Sequence, residues 1–310
     1  MAIEQHAGHF TGEGGVRLFY QSWTPSARPR AVLLVLHGLA EHGGRYLNLV
    51  NEFVPAGFLV CAPDYRGHGR SEGRRCYVNR FNDYVEDLNT YVNIVRGAYP
   101  DIKIFMVGHS LGGTIAVAYA EAYQDKLAGL ILSAPVLKAG SSITSRDKML
   151  ARILSRLAPG FGVNNLDVTP LSKDPAVVKA YVSDPLVFTG KISARLGAEI
   201  LKAIEKTIPP LMQTIKLPIL IMQGAEDRLS NPEGSRVIFE GVSSSDKTLK
   251  RYEGLFTRYS MSPNAPSFSR TCASGWPPAF ERCLISHPNT PNLKQNLTDT
   301  THITLLLPSV

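Results

Sequence analysis

The feature that most constrains this chain is Lys103-Ile-Phe-Met-Val-Gly108-His109-Ser110-Leu111-Gly112-Gly113, an apolar run that enters Gly-x-Ser-x-Gly and continues into a helical pattern. A serine on so sharp a strand-to-helix turn takes a strained backbone conformation, and neighbouring side chains would collide. Glycines at 108 and 112 are expected to relieve that collision. The helix starting near Leu111 would direct its free N–H groups and positive dipole end at charge developing beside Ser110. A bare Gly-x-Ser-x-Gly is common by chance, and the flanking strand and helix are what give it weight. Ser110 is therefore the candidate nucleophile. His109 adjoins it on the turn and is expected to point away.

The rest of the chain supplies a frame for such a turn. Short apolar runs alternate with helical patterns, which predicts an α/β fold with a mostly parallel central sheet flanked by helices. Ala31–Leu36, Phe58–Pro63, Ile102–Val107, Leu130–Ser133 and Pro218–Met222 read as buried strands. His9–Glu13 and Val16–Thr24 read as an opening hairpin. Helices are expected at Tyr46–Val54, Phe81–Ala98, Leu111–Tyr123 and Pro232–Phe239. Between about Leu137 and Met212 the rhythm breaks. Met149, Leu150, Ile153, Leu154 and Leu157 have helical spacing, a Pro- and Asp-rich passage follows, and a second apolar helix is expected near Ala198–Ile208. Lying between two sheet strands, this stretch reads as a helical cap over the strand ends; plain core helices are the alternative. The expected organisation is a core of 1–136 and 213–256, a cap of 137–212, and a tail of 257–310. Pro, Ser, Thr and Asn dominate that tail, periodicity is lost, and it is expected to stay unpacked.

Composition narrows the partners. The 310 residues carry a formal charge of +7, but Lys and Arg are scattered, which argues against nucleic acid. At most the charge favours approach to an anionic lipid surface. MAIEQHAGHF offers no apolar stretch for a signal peptide, and no run suits a membrane span. Cys61, Cys76, Cys272 and Cys283 show neither metal nor redox spacing, so a cytoplasmic protein with reduced thiols is expected.

Two further segments suit the chemistry of an activated serine. Leu36-His37-Gly38-Leu39 follows a strand at the place where this architecture puts a second oxyanion donor, and the backbone N–H of Leu39 is expected to act with that of Leu111. Gly224-Ala-Glu-Asp227-Arg-Leu follows another strand. A carboxylate there, Asp227 in preference to Glu226, would hold the tautomer of an imidazole and stabilise its charged form.

Five motifs in order now carry a resemblance: His37-Gly-Leu-Ala-Glu-His-Gly-Gly-Arg-Tyr46, Asp64-Tyr-Arg-Gly-His-Gly-Arg-Ser71, Gly108-His-Ser-Leu-Gly-Gly113, Ser133-Ala-Pro135 and Gly224-Ala-Glu-Asp-Arg-Leu229. Across residues 8 to 256 the chain resembles monoacylglycerol lipases, of the lysophospholipase-like group within the α/β-hydrolase fold. The resemblance implies a serine esterase that hydrolyses a fatty acyl ester of glycerol or lysophospholipid type through an acyl-enzyme. It implies no metal or cofactor, and an apolar lid over the acyl chain.

The resemblance breaks at one place. In that family the strand after the acid leads through Tyr-Glu-Gly to the catalytic histidine, whereas here Arg251-Tyr-Glu-Gly-Leu-Phe256 is followed by Thr257-Arg where His-Glu is expected. His287 and His302 lie in the tail and are poor substitutes. Phe-Thr-Arg-Tyr-Ser-Met-Ser-Pro can be written TTC ACG AGA TAT TCA ATG AGC CCG; from the third base this reads His-Glu-Ile-Phe-Asn-Glu-Pro. Permitted codons continue it through Glu-Arg-Ala-Gln-Leu-Phe-Ser-Asp-Leu-Cys-Val-Trp-Leu-Ala-Thr-Arg-Ile to a stop, an amphipathic terminal helix. A frameshift after Phe256 is thus the expected origin of the tail.

Without a base a serine is a weak nucleophile, so this chain is expected to be severely impaired as an enzyme. The competing expectation is a non-catalytic lipid binder that keeps the pocket. A haloalkane dehalogenase or epoxide hydrolase would carry aspartate at position 110. Peptidase, thioesterase and acyltransferase chemistry stay open, because the same turn serves any acyl transfer, and the sequence sets no oligomeric state.

Overall fold

The computed structural model describes residues 3–140, 143–165, 171 and 175–253. Eight strands form one sheet: β1 (Glu4–Thr11), β2 (Arg17–Thr24), β3 (Ala31–Leu36), β4 (Phe58–Pro63), β5 (Ile104–His109), β6 (Gly129–Ser133), and, after an insert, β9 (Ile219–Gly224) and β10 (Lys247–Tyr252). Their order is β1-β2-β4-β3-β5-β6-β9-β10. β1 and β2 run antiparallel at one edge and the remaining six are mutually parallel.

The central strands are buried on both faces, which explains their unbroken apolar sequences. Alternate side chains serve opposite layers. Val32, Leu34, Met106, Leu130 and Ile219 pack with Tyr91 and Val92 of α2 (Asn82–Ala98) and Ile115 of α3 (Leu111–Tyr123). Leu33, Val35, Phe105, Val107 and Leu220 pack with Leu49, Val50 and Phe53 of α1 (Leu47–Phe53). Each such side chain contributes about 1.5–3 kcal/mol by leaving water. Helix α7 (Glu233–Gly241) returns the chain from β9 to β10.

Between β6 and β9 lie α4 (Ser145–Leu157), β7 (Gly162–Asn165), α5 (Pro175–Val182), β8 (Lys191–Ser193) and α6 (Ala194–Lys202). α4 is fixed at its start by a capping box between Thr144 and Asp147. The second helix, expected at Ala198–Ile208, starts earlier because the Ser193 hydroxyl caps it, accepting the Leu196 N–H at 3.2 Å. It ends in a π-turn over Ala203–Thr207. A helix that was not expected, α5, starts at the last residue of the Pro- and Asp-rich passage, and the β7–β8 pair was not expected at all. The insert is stitched to the core by Ser193 Oγ donating to Cys76 O at 2.8 Å and by Phe81 N donating to Glu199 Oε2 at 3.1 Å. Among the described residues no helix is long and apolar enough to cross a membrane. Cys61 and Cys76 are free and buried.

Candidate active site

Ser110 sits between the end of β5 and the start of α3 with φ 53° and ψ −118°, a conformation rare for a residue with a side chain. Its N–H is tied to Ser133 O at 3.0 Å, and its carbonyl accepts from Gly113 N at 2.9 Å. The turn is tight enough that a Cβ on Gly108 would lie 2.5 Å from Gly112 O. His109 is buried and turned sideways, with Nδ1 3.2 Å from Ser133 O.

The loop after β3 passes directly over this turn. A Cβ on Gly38 would stand 3.5 Å from Ser110 Cβ. The N–H groups of Leu39, next in this loop, and of Leu111, next after Ser110, have no hydrogen-bond partner among the described residues. Two side chains that sequence reading missed shape this loop. His37 has Nδ1 2.8 Å from Gly38 O, while its Nε2 accepts from Tyr65 N at 3.1 Å, so Nδ1 carries the proton. A trans peptide points its N–H opposite to its carbonyl, so holding Gly38 O aims the Leu39 N–H. His37 is fully buried, and burial together with neighbouring His68 pushes its pKa down to about 3, keeping the ring neutral. The buried Glu41 carboxylate accepts Gly38 N at 2.7 Å and the Tyr46 hydroxyl at 2.7 Å. Both residues stand inside the His37–Tyr46 motif, but nothing in the string of letters names their partners.

Asp227 lies beyond β9 and is buried, whereas Glu226 is exposed. Its Oδ1 accepts Leu229 N at 2.9 Å and Ser230 N at 2.8 Å, and its Oδ2 accepts Gln223 Nε2 at 3.0 Å. Gln223 is held in turn by the Ser235 hydroxyl, which donates to Oε1 at 2.7 Å. Such donors suit a fixed carboxylate. β5 and β9 flank β6, with His109 and Met222 both level with Ser133. Ser110 and Asp227 therefore follow strands about 10 Å apart at the same end of the sheet.

Of the described histidines, none is hydrogen-bonded to Ser110 Oγ. His42 is engaged by Asp184 and Gly44, and His68 by Arg66 O. His6 and His9 belong to β1 at the edge of the sheet. Thr257, the tail of 257–310, and His287 and His302 within it, lie outside the described residues.

The family described as serine aminopeptidase, S33, matches residues 27–256. A monoacylglycerol lipase of Mycolicibacterium smegmatis is 40% identical over 247 residues, covering 80% of this chain and 88% of that protein. The monoglyceride lipase of Rattus norvegicus is 36% identical over 81% of this chain and 83% of its own length. Among solved structures, the Paleococcus ferrophilus monoacylglycerol lipase superposes with a TM-score of 0.70 at 32% identity, over 85% of this chain and 93% of that one.

Proposed function

Because the chain belongs to the serine aminopeptidase S33 family of α/β-hydrolases, in the company of monoacylglycerol lipases, we propose that its site is laid out to hydrolyse monoacylglycerol or lysophospholipid-type acyl esters, and that this chain is impaired for want of a base. The observation that carries the reading is the strained Ser110 turn, flanked by segments whose Leu39 and Leu111 N–H groups are unpartnered among the described residues.

In the intact reaction Ser110 Oγ bonds to the ester carbonyl carbon while its proton passes to an imidazole. The carbonyl oxygen becomes an oxyanion held by the Leu39 and Leu111 N–H groups, with the α3 N-terminus adding its positive end. Collapse expels the alcohol, which takes the proton, and water then releases the fatty acid by the reverse path. Asp227 orients the imidazole and offsets its charge. With Thr257 where the base belongs, the first proton transfer has no acceptor of suitable basicity. A shifted reading frame from Phe256 onward supplies histidine at that place, and we take 257–310 to be its out-of-frame product.

Residues 137–212 serve as the cap. α4 presents Met149, Leu150, Ile153 and Leu157 to solvent, Leu157 at 81% exposure, beside exposed Arg146, Arg152 and Arg156. Apolar residues ringed by cations suit contact with an anionic lipid surface. The absent histidine favours a second reading, a binder that keeps the acyl pocket without turnover. Labelling of Ser110 by a fluorophosphonate, together with p-nitrophenyl ester hydrolysis and a Ser110→Ala control, separates the two. Ser110-dependent labelling and hydrolysis support the esterase; lipid binding with neither supports the binder.

A further inference from the structure

The loop that carries the Leu39 N–H is gripped from the insert, 142 residues away in sequence. Asp184 Oδ2 accepts His42 Nε2 at 2.9 Å and Arg45 Nη1 at 2.9 Å, while its Oδ1 accepts Leu186 N at 3.0 Å. Gly44 N donates to His42 Nδ1 at 3.2 Å, which leaves the imidazole proton on Nε2, facing the carboxylate. Arg45 in turn lies 3.4 Å from Glu41 Oε2, the carboxylate that holds Gly38 N, and its guanidinium stacks 4.8 Å from the Tyr181 ring centre. Two more contacts reach the loop backbone itself. Phe188 N donates to Ala40 O at 2.8 Å, and the Tyr181 hydroxyl to Leu39 O at 3.4 Å. Ala40 has φ 64°, a left-handed conformation unfavourable for alanine that persists only where surroundings enforce it. These side chains are largely buried: Glu41 is 3%, His42 9%, Arg45 11% and Asp184 19% exposed.

We propose that Asp184 is a positioning residue: by clamping His42 and Arg45 it fixes residues 38–42 in the shape that offers the Leu39 N–H to an oxyanion. The insert then does more than cover the acyl chain; it completes one half of the oxyanion site. This rests on the esterase reading for its catalytic meaning, but the clamp itself is independent of turnover. A donor aligned only for the transition state raises kcat and leaves KM alone.

Hydrogen exchange measured on the full chain tests the clamp. Asp184→Ala is expected to accelerate exchange of amides in 38–44 at least tenfold, together with 181–188, while β5 and α3 stay as protected as before. Asp184→Asn keeps the shape and one acceptor oxygen but loses the charge that Arg45 and His42 face, and should accelerate exchange in 38–44 about threefold; it decides the question if the alanine variant fails to fold. Arg236→Ala, which removes exposed ion pairs on α7 to Glu233 and Glu240, should change neither segment. In a chain carrying the shifted-frame C-terminus, Asp184→Ala should lower kcat about tenfold with KM within twofold. Unchanged exchange in 38–44, or a loss confined to KM, would overturn the proposal. If the shifted-frame chain shows no turnover at all, that counts against the esterase reading, and the exchange result still decides the clamp.

Discussion

The Cα of Gly112 faces the carbonyl oxygen of Leu36 so closely that a Cβ would sit 2.2 Å from it, with His37 O at 2.7 Å. The first turn of α3 is thereby pressed onto the end of β3, beside the segment that leads into Leu39. Backbone cannot yield as a flexible side chain can. Gly112→Ala is expected to cost about 3 kcal/mol or more and to abolish fluorophosphonate labelling. Chemical denaturation midpoints and labelling rates check both parts.

The positive φ at Ser110 stores strain that a glycine would not feel. Ser110→Gly should therefore stabilise the fold by about 1 kcal/mol while removing all labelling, whereas Ser110→Ala should remove labelling without that gain. Paired thermal melts of the two variants read the difference.

Acid should unfold this protein earlier than its carboxylates alone require. Burial pushes His37 down to about 3 and His68 down to about 4, from 6.5 for an ordinary histidine. Between pH 6.5 and those values the unfolded chain binds these two protons and the folded chain does not. The share of stability carried by these two rings is thus fully present above pH 6.5 and drains as pH falls, by about 1.4 kcal/mol per pH unit for each proton, while the half-buried Glu121 carboxyl, pushed up to about 8, works in the opposite direction. Urea midpoints at pH 7.5 and 5.5 for a Glu121→Gln variant, in which that opposing carboxyl is gone, should show the decline, and a flat profile there would refute it.

How much of this was legible in the sequence depends on where each residue's partners lie. Ala31–Leu36, Phe58–Pro63 and Leu111–Tyr123 have the predicted bounds, because continuous apolar runs and the glycine-flanked serine fix them locally. Helix α5, of eight residues, was not predicted; it opens on Pro175, and proline suits the first helical position. β7 and β8 have four and three residues, too few for any periodicity to appear. At the site, Ser110, Leu39, Leu111 and Asp227 were singled out because each follows a recognisable strand. Glu41 and Asp184 were not, since their roles exist only through Gly38, His42 and Arg45 in three dimensions.

The exposed face of α4 gives the lipid-surface reading a direct test. Leu150→Glu with Leu157→Glu should weaken binding to anionic vesicles at least tenfold, since each leucine would bring about 1.5–3 kcal/mol on leaving water. Co-sedimentation at low and high salt checks it. Binding by the parent chain should also weaken at high salt, where the arginines are screened.

We propose that this chain holds a nucleophile and its oxyanion donors but lacks the group that takes the proton. Steady-state hydrolysis of a p-nitrophenyl acyl ester by the full chain, beside a chain with the shifted-frame sequence after Phe256, tests it most directly. The shifted-frame chain should turn over at about 1–1000 per second, in the ordinary enzymatic range. The chain with Thr257 should fall about a million-fold below it, the cost of losing the base in a serine hydrolase. Equal, Ser110-dependent turnover by the two chains would contradict the account.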